Sequence, residues 1–65
     1  MFMKNLKKQS IYVEMADIQS AINGVDRVSL FMVAFFSEHG RMPTKQELEQ
    51  RVERLKEELI EVENE

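Results

Sequence analysis

The side chains that could carry out chemistry are few in this sequence of 65 residues. It contains no cysteine, so disulfides and thiolate ligands are excluded, and its single histidine, His39, would need several converging carboxylates to build a zinc site. None of the four serines has a base arranged beside it, and Gly24 and Gly40 stand apart, so no phosphate-binding loop is present. His39 is better explained as a cation near a helix C-terminus, where the macrodipole favours it. We therefore expect a protein that is not an enzyme and has neither a cofactor nor a metal.

Charged residues form two groups that could bind a partner. Lysines lie near the beginning of the chain and glutamates near its end, and the formal net charge is −3. A net charge of this sign argues against a role in coating nucleic acid. If the chain folds back on itself, the lysines could approach the glutamates in exposed ion pairs that set orientation more than stability. The possible partner-binding charges are Lys4, Lys7, Lys8, Glu57, Glu58 and Glu61.

A helix over residues 45–63 is one of the elements that must position these charges. Thr44 and Glu47 have the spacing of a capping box, and Pro43 precedes them where the chain must not be helical. Apolar residues then recur with the heptad spacing of a helix that packs along one stripe. The residues expected to form this hairpin packing are Leu48, Val52, Leu55, Leu59 and Val62.

A long first helix is predicted over residues of about 10–39. Apolar residues from Ile11 to Phe36 fall on one helical lattice, in which Ser29 is the polar exception. Asn23-Gly24 lies in the middle of this lattice, so a break there, with Asn23 capping a second helix, is the alternative. Residues 40–44 are predicted to be a short turn. Residues 1–9 are expected to be a basic, flexible N-terminal segment ahead of a single helical domain at 10–65.

The segment VSLFMVAFF, residues 28–36, is apolar on all sides of a helix. Such a helix is a buried one, whereas the helix over 45–63 can cover one side and would leave Leu30, Phe31 and Ala34 exposed. Large apolar patches on small proteins usually mark interfaces, and a chain this short rarely has a sufficient core of its own. We therefore expect an all-α fold in which two helical hairpins assemble as a dimeric four-helix bundle. The expected self-association interface is Val28, Leu30, Phe31, Met32, Phe35 and Phe36.

These features favour a small protein-interaction module that self-associates as a homodimer or a higher oligomer. It would bind or inhibit a larger protein as an adaptor or regulator, in the manner of phage and plasmid regulators of this size. No apolar run is long enough to span a membrane, and the N-terminus lacks the apolar region of a secretion signal. We therefore expect a cytoplasmic location and no contact with a membrane.

A small dimeric DNA-binding transcriptional regulator is the alternative. Residues 39–48 are similar to segments within sigma factors and some helix-turn-helix regulators, although the helix that follows is long and acidic where a recognition helix is short and basic. A ribbon-helix-helix dimer would instead use residues 10–15 as its strand, but neither face of that segment is basic. Nucleic acid is therefore the less favoured partner.

Overall fold

The computed structural model describes residues 2–65, and within them the chain forms three α-helices and no strand. We label these helices α1 (Phe2–Ile22), α2 (Leu30–His39) and α3 (Lys45–Glu63). The prediction of an all-α fold is confirmed, and α3 has the bounds that its capping box and heptad pattern predict.

The main packed pair of the fold consists of α1 and α3, which run antiparallel. At one end of the pair the Lys4 ammonium donates to the carbonyl oxygen of Glu63 at 3.0 Å, and at the other end Ile22 and Lys45 line the same groove. The core between these helices also receives Met32 from α2. Its other buried members are Ile11, Ile18, Leu48, Val52, Leu55 and Val62, with Leu59 partly buried beside them. The stripe predicted for α3 is therefore its core-facing side.

The predicted long helix over residues 10–39 is wrong, because the chain leaves the helical conformation after Ile22. Gly24 has a φ of 87°, in the left-handed region that favours glycine, and a loop runs from there to Ser29. The Ser29 hydroxyl accepts a hydrogen bond from the Met32 N–H at 3.2 Å and so caps α2. The polar exception in the apolar lattice is thus a helix cap. The alternative of a break at Asn23-Gly24 has the correct position, although Asn23 is not the cap.

The first helix also begins earlier than predicted, at Phe2 instead of near Ser10. The described part of residues 1–9, the segment expected to be flexible, is therefore helical, and Met1 lies outside the described residues. The described chain therefore has three helices in place of the predicted two. The predicted assembly of two chains as a dimeric four-helix bundle stays a prediction.

The connection between α2 and α3 is closed by caps on both sides. Gly40, with a φ of 69°, ends α2, and its N–H donates to the carbonyl oxygen of Phe36 at 2.8 Å. The Thr44 hydroxyl accepts from the Glu47 N–H, and a Glu47 carboxylate oxygen accepts from the Thr44 N–H at 2.8 Å, so the predicted capping box is present. The Arg41 guanidinium donates to both Glu47 oxygens, at 2.8 and 3.2 Å. Arg41 and the Thr44 N–H lower the pKa of Glu47 from 4.5 to about 2.

Candidate interaction surface

Helix α2 contacts the rest of the chain through one buried side chain and two aromatic rings. Met32 is 7% exposed and is the one buried residue of α2, a helix that is described in full. Phe31 packs against the edge of the core, and its ring centroid lies 5.8 Å from that of Phe35 in a tilted arrangement. Both rings line a groove together with Arg51 and Arg54 of α3. These contacts determine which side of α2 faces the chain and which side faces solvent.

Arg51 is the residue that links the three helices. Its Nη2 donates to both carboxylate oxygens of Glu14 on α1, at 3.4 Å each, and its Nη1 lies 4.0 Å from an oxygen of Glu58 on α3. Its guanidinium carbon lies 5.4 Å from the centroid of the Phe31 ring on α2, within cation–π range. The Arg51 and Glu14 side chains are 28% and 20% exposed, so their ion pair is partly shielded from water. The Arg51 guanidinium, which extends from α3 and pairs with Glu14 of α1, therefore also contacts the Phe31 ring of α2.

The C-terminal end of α2 is held by a second set of ring contacts. The Arg41 guanidinium carbon lies 4.9 Å from the centroid of the Phe35 ring, and the His39 ring centroid lies 4.3 Å from the same point. His39 is the last residue of α2, so its predicted position at a helix C-terminus is confirmed. Phe35 is thus enclosed by residues of its own helix and of the turn that follows.

The opposite side of α2 is apolar and open to solvent. We call it the outer face, and its residues are Leu30, Val33, Ala34 and Ser37. Leu30 is 85% exposed and Val33 is 56% exposed. Leu30 also lines a groove of about 320 Å³ together with Leu6 and Val13 of α1, both of which are exposed. An apolar surface therefore continues from α2 onto α1.

The residues predicted to form a self-association interface are divided between the core and the surface. Met32 is buried within its own chain, and Phe31 and Phe35 are half-buried. The exposed residues are Val28, Leu30 and Phe36. The expectation that the far side of α2 would be open is met by Leu30 and Ala34, whereas Phe31 is half-buried.

Three further residues of the apolar surface are absent from the predicted interface: Val33, Leu6 and Val13. Helical spacing does place Val33 on the same face as Leu30 and Ala34, because it lies one turn along the helix from Leu30. Leu6 and Val13 gave no comparable signal. They border the surface because the loop after Ile22 brings α2 back across α1, which is a tertiary arrangement that local sequence does not encode.

The N-terminal lysines meet the acidic end of α3. Lys7 Nζ lies 3.4 Å from a carboxylate oxygen of Glu65, and Lys8 Nζ lies 3.5 Å from one of Glu63. Lys4 donates to the backbone carbonyl of Glu63, as described above. The lysine and glutamate groups therefore approach each other, but through Glu63 and Glu65, and these pairs are largely exposed.

The three glutamates predicted as partner-binding charges lie elsewhere on α3. Glu58 faces Arg51 at the edge of the core. Glu57 and Glu61 are exposed and form no ion pair with any side chain of residues 2–65. They form part of the solvent-facing side of α3 together with Glu49 and Glu53.

The fold and this surface define a small all-α protein with an exposed apolar helix face. Across residues 2–65, no group of histidine, aspartate or glutamate side chains is arranged to hold a metal ion. No helix in that part of the chain is both long enough and apolar enough to cross a membrane. Comparisons with protein-family models, with curated proteins and with solved structures give no match for this chain.

Proposed function

We propose that the protein is a non-enzymatic interaction module that self-associates through the outer face of α2 and, as an assembly, binds a larger protein as an adaptor or regulator. The observation that carries this proposal is the exposure of Leu30, which is 85% open to water at the start of a helix whose first seven residues are apolar. Full burial of a leucine side chain is worth about 1.5–3 kcal/mol. The outer face therefore favours association with a surface that can cover it.

The solvent-facing side of α3 supports a basic surface as the larger partner. Glu57 and Glu61 are available there, and the chain as a whole carries a formal charge of −3. A concentration of one sign of charge steers association with a surface of opposite sign and disfavours partners of like sign. A basic protein in the same cytoplasmic compartment is accordingly the proposed target.

The DNA-binding alternative has less support from the geometry. The ribbon-helix-helix arrangement needs a strand at residues 10–15, and these residues lie within α1. Lys7 and Lys8, which would have to contact phosphates, pair with Glu65 and Glu63. A phosphate backbone would therefore have to displace carboxylates that belong to the chain itself.

Sedimentation equilibrium with circular dichroism tests the self-association. The chain should sediment as a dimer or larger species, and Leu30→Asp should shift it toward the monomer without loss of helicity, because Leu30 is largely free of contacts within its own chain. Ile60→Asp is the matched control, since Ile60 is 59% exposed on α3 and outside the outer face. A wild-type chain that stays monomeric from micromolar to millimolar concentration would contradict the proposal.

Affinity capture tests the choice of α3 as the surface for the larger partner. A tagged chain should retain a specific basic protein from a lysate of its source cells, and Glu57→Gln combined with Glu61→Gln should weaken that capture. Glu49→Gln combined with Glu53→Gln makes the same change of charge in the N-terminal half of α3, so it is the control that separates the position of the charges from the net charge. Equal capture by all three proteins would exclude the proposed charges, and a salt-dependent mobility shift with duplex DNA would support the alternative function.

A further inference from the structure

The chain leaves more surface open than a compact monomer of its mass. It exposes 4936 Å², whereas a folded monomer of 7.7 kDa exposes about 4,300 Å² by the usual scaling with mass. Its radius of gyration is 12.5 Å, against about 10.7 Å for a compact domain of this length. The excess of roughly 600 Å² approaches the ~800 Å² that each partner contributes to a standard protein interface. The chain therefore leaves open, in total, almost as much additional surface as one such interface covers.

The outer face of α2 is complementary in shape to itself when two copies run antiparallel. It carries a large residue, Leu30, at its N-terminal end and a small one, Ser37, near its C-terminal end, with Val33 and Ala34 between them. A two-fold contact pairs each residue with its reciprocal on the other copy. An axis that passes between Val33 and Ala34 places each Leu30 over the space left by Ser37 of the other copy. The small side chains of Ala34 and Ser37 also let the two helices approach closely.

We propose that a second copy of this chain covers the outer face, with the two α2 helices antiparallel about that axis. The inference rests on the self-association in the proposed function and specifies its geometry. Two large, symmetric apolar contacts are made, one for each Leu30, and neither requires a side chain to leave the core. A parallel arrangement would instead set Leu30 against Leu30 at one end and leave Ser37 against Ser37 at the other, with a gap between the helices.

The charges that flank α2 agree with the antiparallel arrangement. Glu38 is 76% exposed near the C-terminus of the helix. Arg27 lies just before its N-terminus and is 62% exposed, with Nη1 3.6 Å from a carboxylate oxygen of Asp17 in its own chain. Antiparallel docking brings each Glu38 toward the N-terminal end of the other copy's α2, where the helix dipole is positive and Arg27 lies nearby. Parallel docking would bring the two Glu38 carboxylates together.

Disulfide trapping tests this geometry directly, because the chain has no cysteine of its own. Ala34→Cys, close to the axis, should form a disulfide-linked dimer under mild oxidation, and a mixture of Leu30→Cys and Ser37→Cys chains should form a mixed dimer. Leu30→Cys alone should not, because the two copies of this residue are about 10 Å apart along the helices, beyond the ~7 Å Cα separation that a disulfide spans. Ile60→Cys, exposed on α3, measures linkage by random collision.

The two proposals fail in different ways in this experiment. A self-linked dimer of Leu30→Cys, above the Ile60→Cys background, would overturn the antiparallel geometry while leaving self-association intact. A wild-type monomer in sedimentation, together with linkage no greater than background at every position, would overturn the self-association itself.

An exchange of side chains provides a second test that does not depend on oxidation. Leu30→Ser removes the large side chain and Ser37→Leu fills the space that receives it, so each should raise the dimer dissociation constant by about tenfold or more. The double variant restores one large and one small residue in each pair and should dimerise more tightly than either single variant. A double variant weaker than both would overturn the pairing of Leu30 with Ser37. Circular dichroism of the monomers at high dilution provides the check that each variant keeps its helices.

Discussion

Replacing Arg51 tests whether one cation holds the three helices together. We expect Arg51→Ala to lower the free energy of unfolding by about 2 kcal/mol, composed of a partly buried ion pair with Glu14, ~0.5–1 kcal/mol of cation–π contact with Phe31, and the packing of the aliphatic stem. The Arg51 Nε is buried and has no hydrogen-bond partner within residues 2–65. The cost of that unpaired group offsets part of the gain and keeps the sum from being larger.

The measurement is urea unfolding followed by far-ultraviolet circular dichroism, at one protein concentration so that self-association does not bias the comparison. Since a core of this size supplies only ~3–5 kcal/mol, the free energy lost in Arg51→Ala is a large fraction of the total. The urea concentration at the midpoint of unfolding should therefore fall by a large fraction. Arg51→Lys should recover part of it, because an ammonium can still pair with Glu14 but cannot stack on Phe31 as a planar guanidinium does. Arg54→Ala is the control: Arg54 is exposed on the same helix and forms no ion pair within the described residues.

For Arg54→Ala we expect a change within about 0.5 kcal/mol. If Arg51→Ala lowers the free energy of unfolding no further than Arg54→Ala does, Arg51 does not hold the helices together. A double-mutant cycle with Phe31→Leu isolates the contribution of the cation–π contact. The coupling between Arg51 and Phe31 should be about 0.5–1 kcal/mol. A coupling of zero would leave the effect to the ion pair with Glu14 and the packing of the stem, and would remove Arg51 as the link to α2.

Three further outcomes are expected. Leu55 is 1% exposed, so Leu55→Ala should lower the free energy of unfolding by about 2–5 kcal/mol. Ile60→Ala should change it by less than about 0.5 kcal/mol. Equal urea midpoints for the two variants would contradict the burial of Leu55 in the core. Ser29→Ala should cost about 1 kcal/mol through loss of the α2 cap, seen as reduced helicity. Because Arg41 and the capping box lower the pKa of Glu47 to about 2, its ionised form stabilises the fold at neutral pH. That contribution should be lost as the pH falls from about 4.5 toward 2, and Glu47→Gln should show no such acid-dependent step in an acid titration of helicity.

The parts of the fold that were predicted correctly are those with local causes. Thr44 and Glu47 satisfy each other's backbone N–H groups whatever the remainder of the chain does, and the stripe that begins at Leu48 needs only one apolar surface to pack against. For the same reason the end of α2 at His39 and Gly40 was predicted. These features depend on residues within one or two helical turns of each other.

The division of the first predicted helix could not be derived from periodicity. Ile18 and Met32 fit one lattice although a loop separates them, because each helix independently directs one apolar stripe to the same core. Ser29 was taken as an exception within a helix, and it is in fact the residue that starts one. The start of α2 there is shown by the hydrogen bond that the Ser29 hydroxyl accepts from the N–H three residues later. That bond can be recognised only when the backbone conformation is known.

The candidate surface depends on a choice that sequence leaves open. The sequence prediction placed Leu30, Phe31 and Ala34 together on the open side of the helix, but Phe31 is half-buried. Burial of Met32 and the contact of Arg51 with Phe31 together set the rotation of α2 about its own axis. A charged residue at the edge of the α3 stripe, distant in sequence, therefore contributes to which apolar side chains face a partner.

The weak attachment of α2 has a consequence for how the protein opens. The helix has ten residues, too few to be stable alone in water, and it lies between two links that contain Gly24 and Gly40. We therefore expect it to form a separate cooperative unit, which can detach and expose Met32 while α1 and α3 stay paired. Amide protons of α2 should exchange with solvent at a lower free energy than those around Ile18 and Leu55. A partner that covers the outer face should raise the free energy of amide exchange in α2 toward that of global unfolding. The partner would therefore stabilise α2 more than it stabilises α1 or α3.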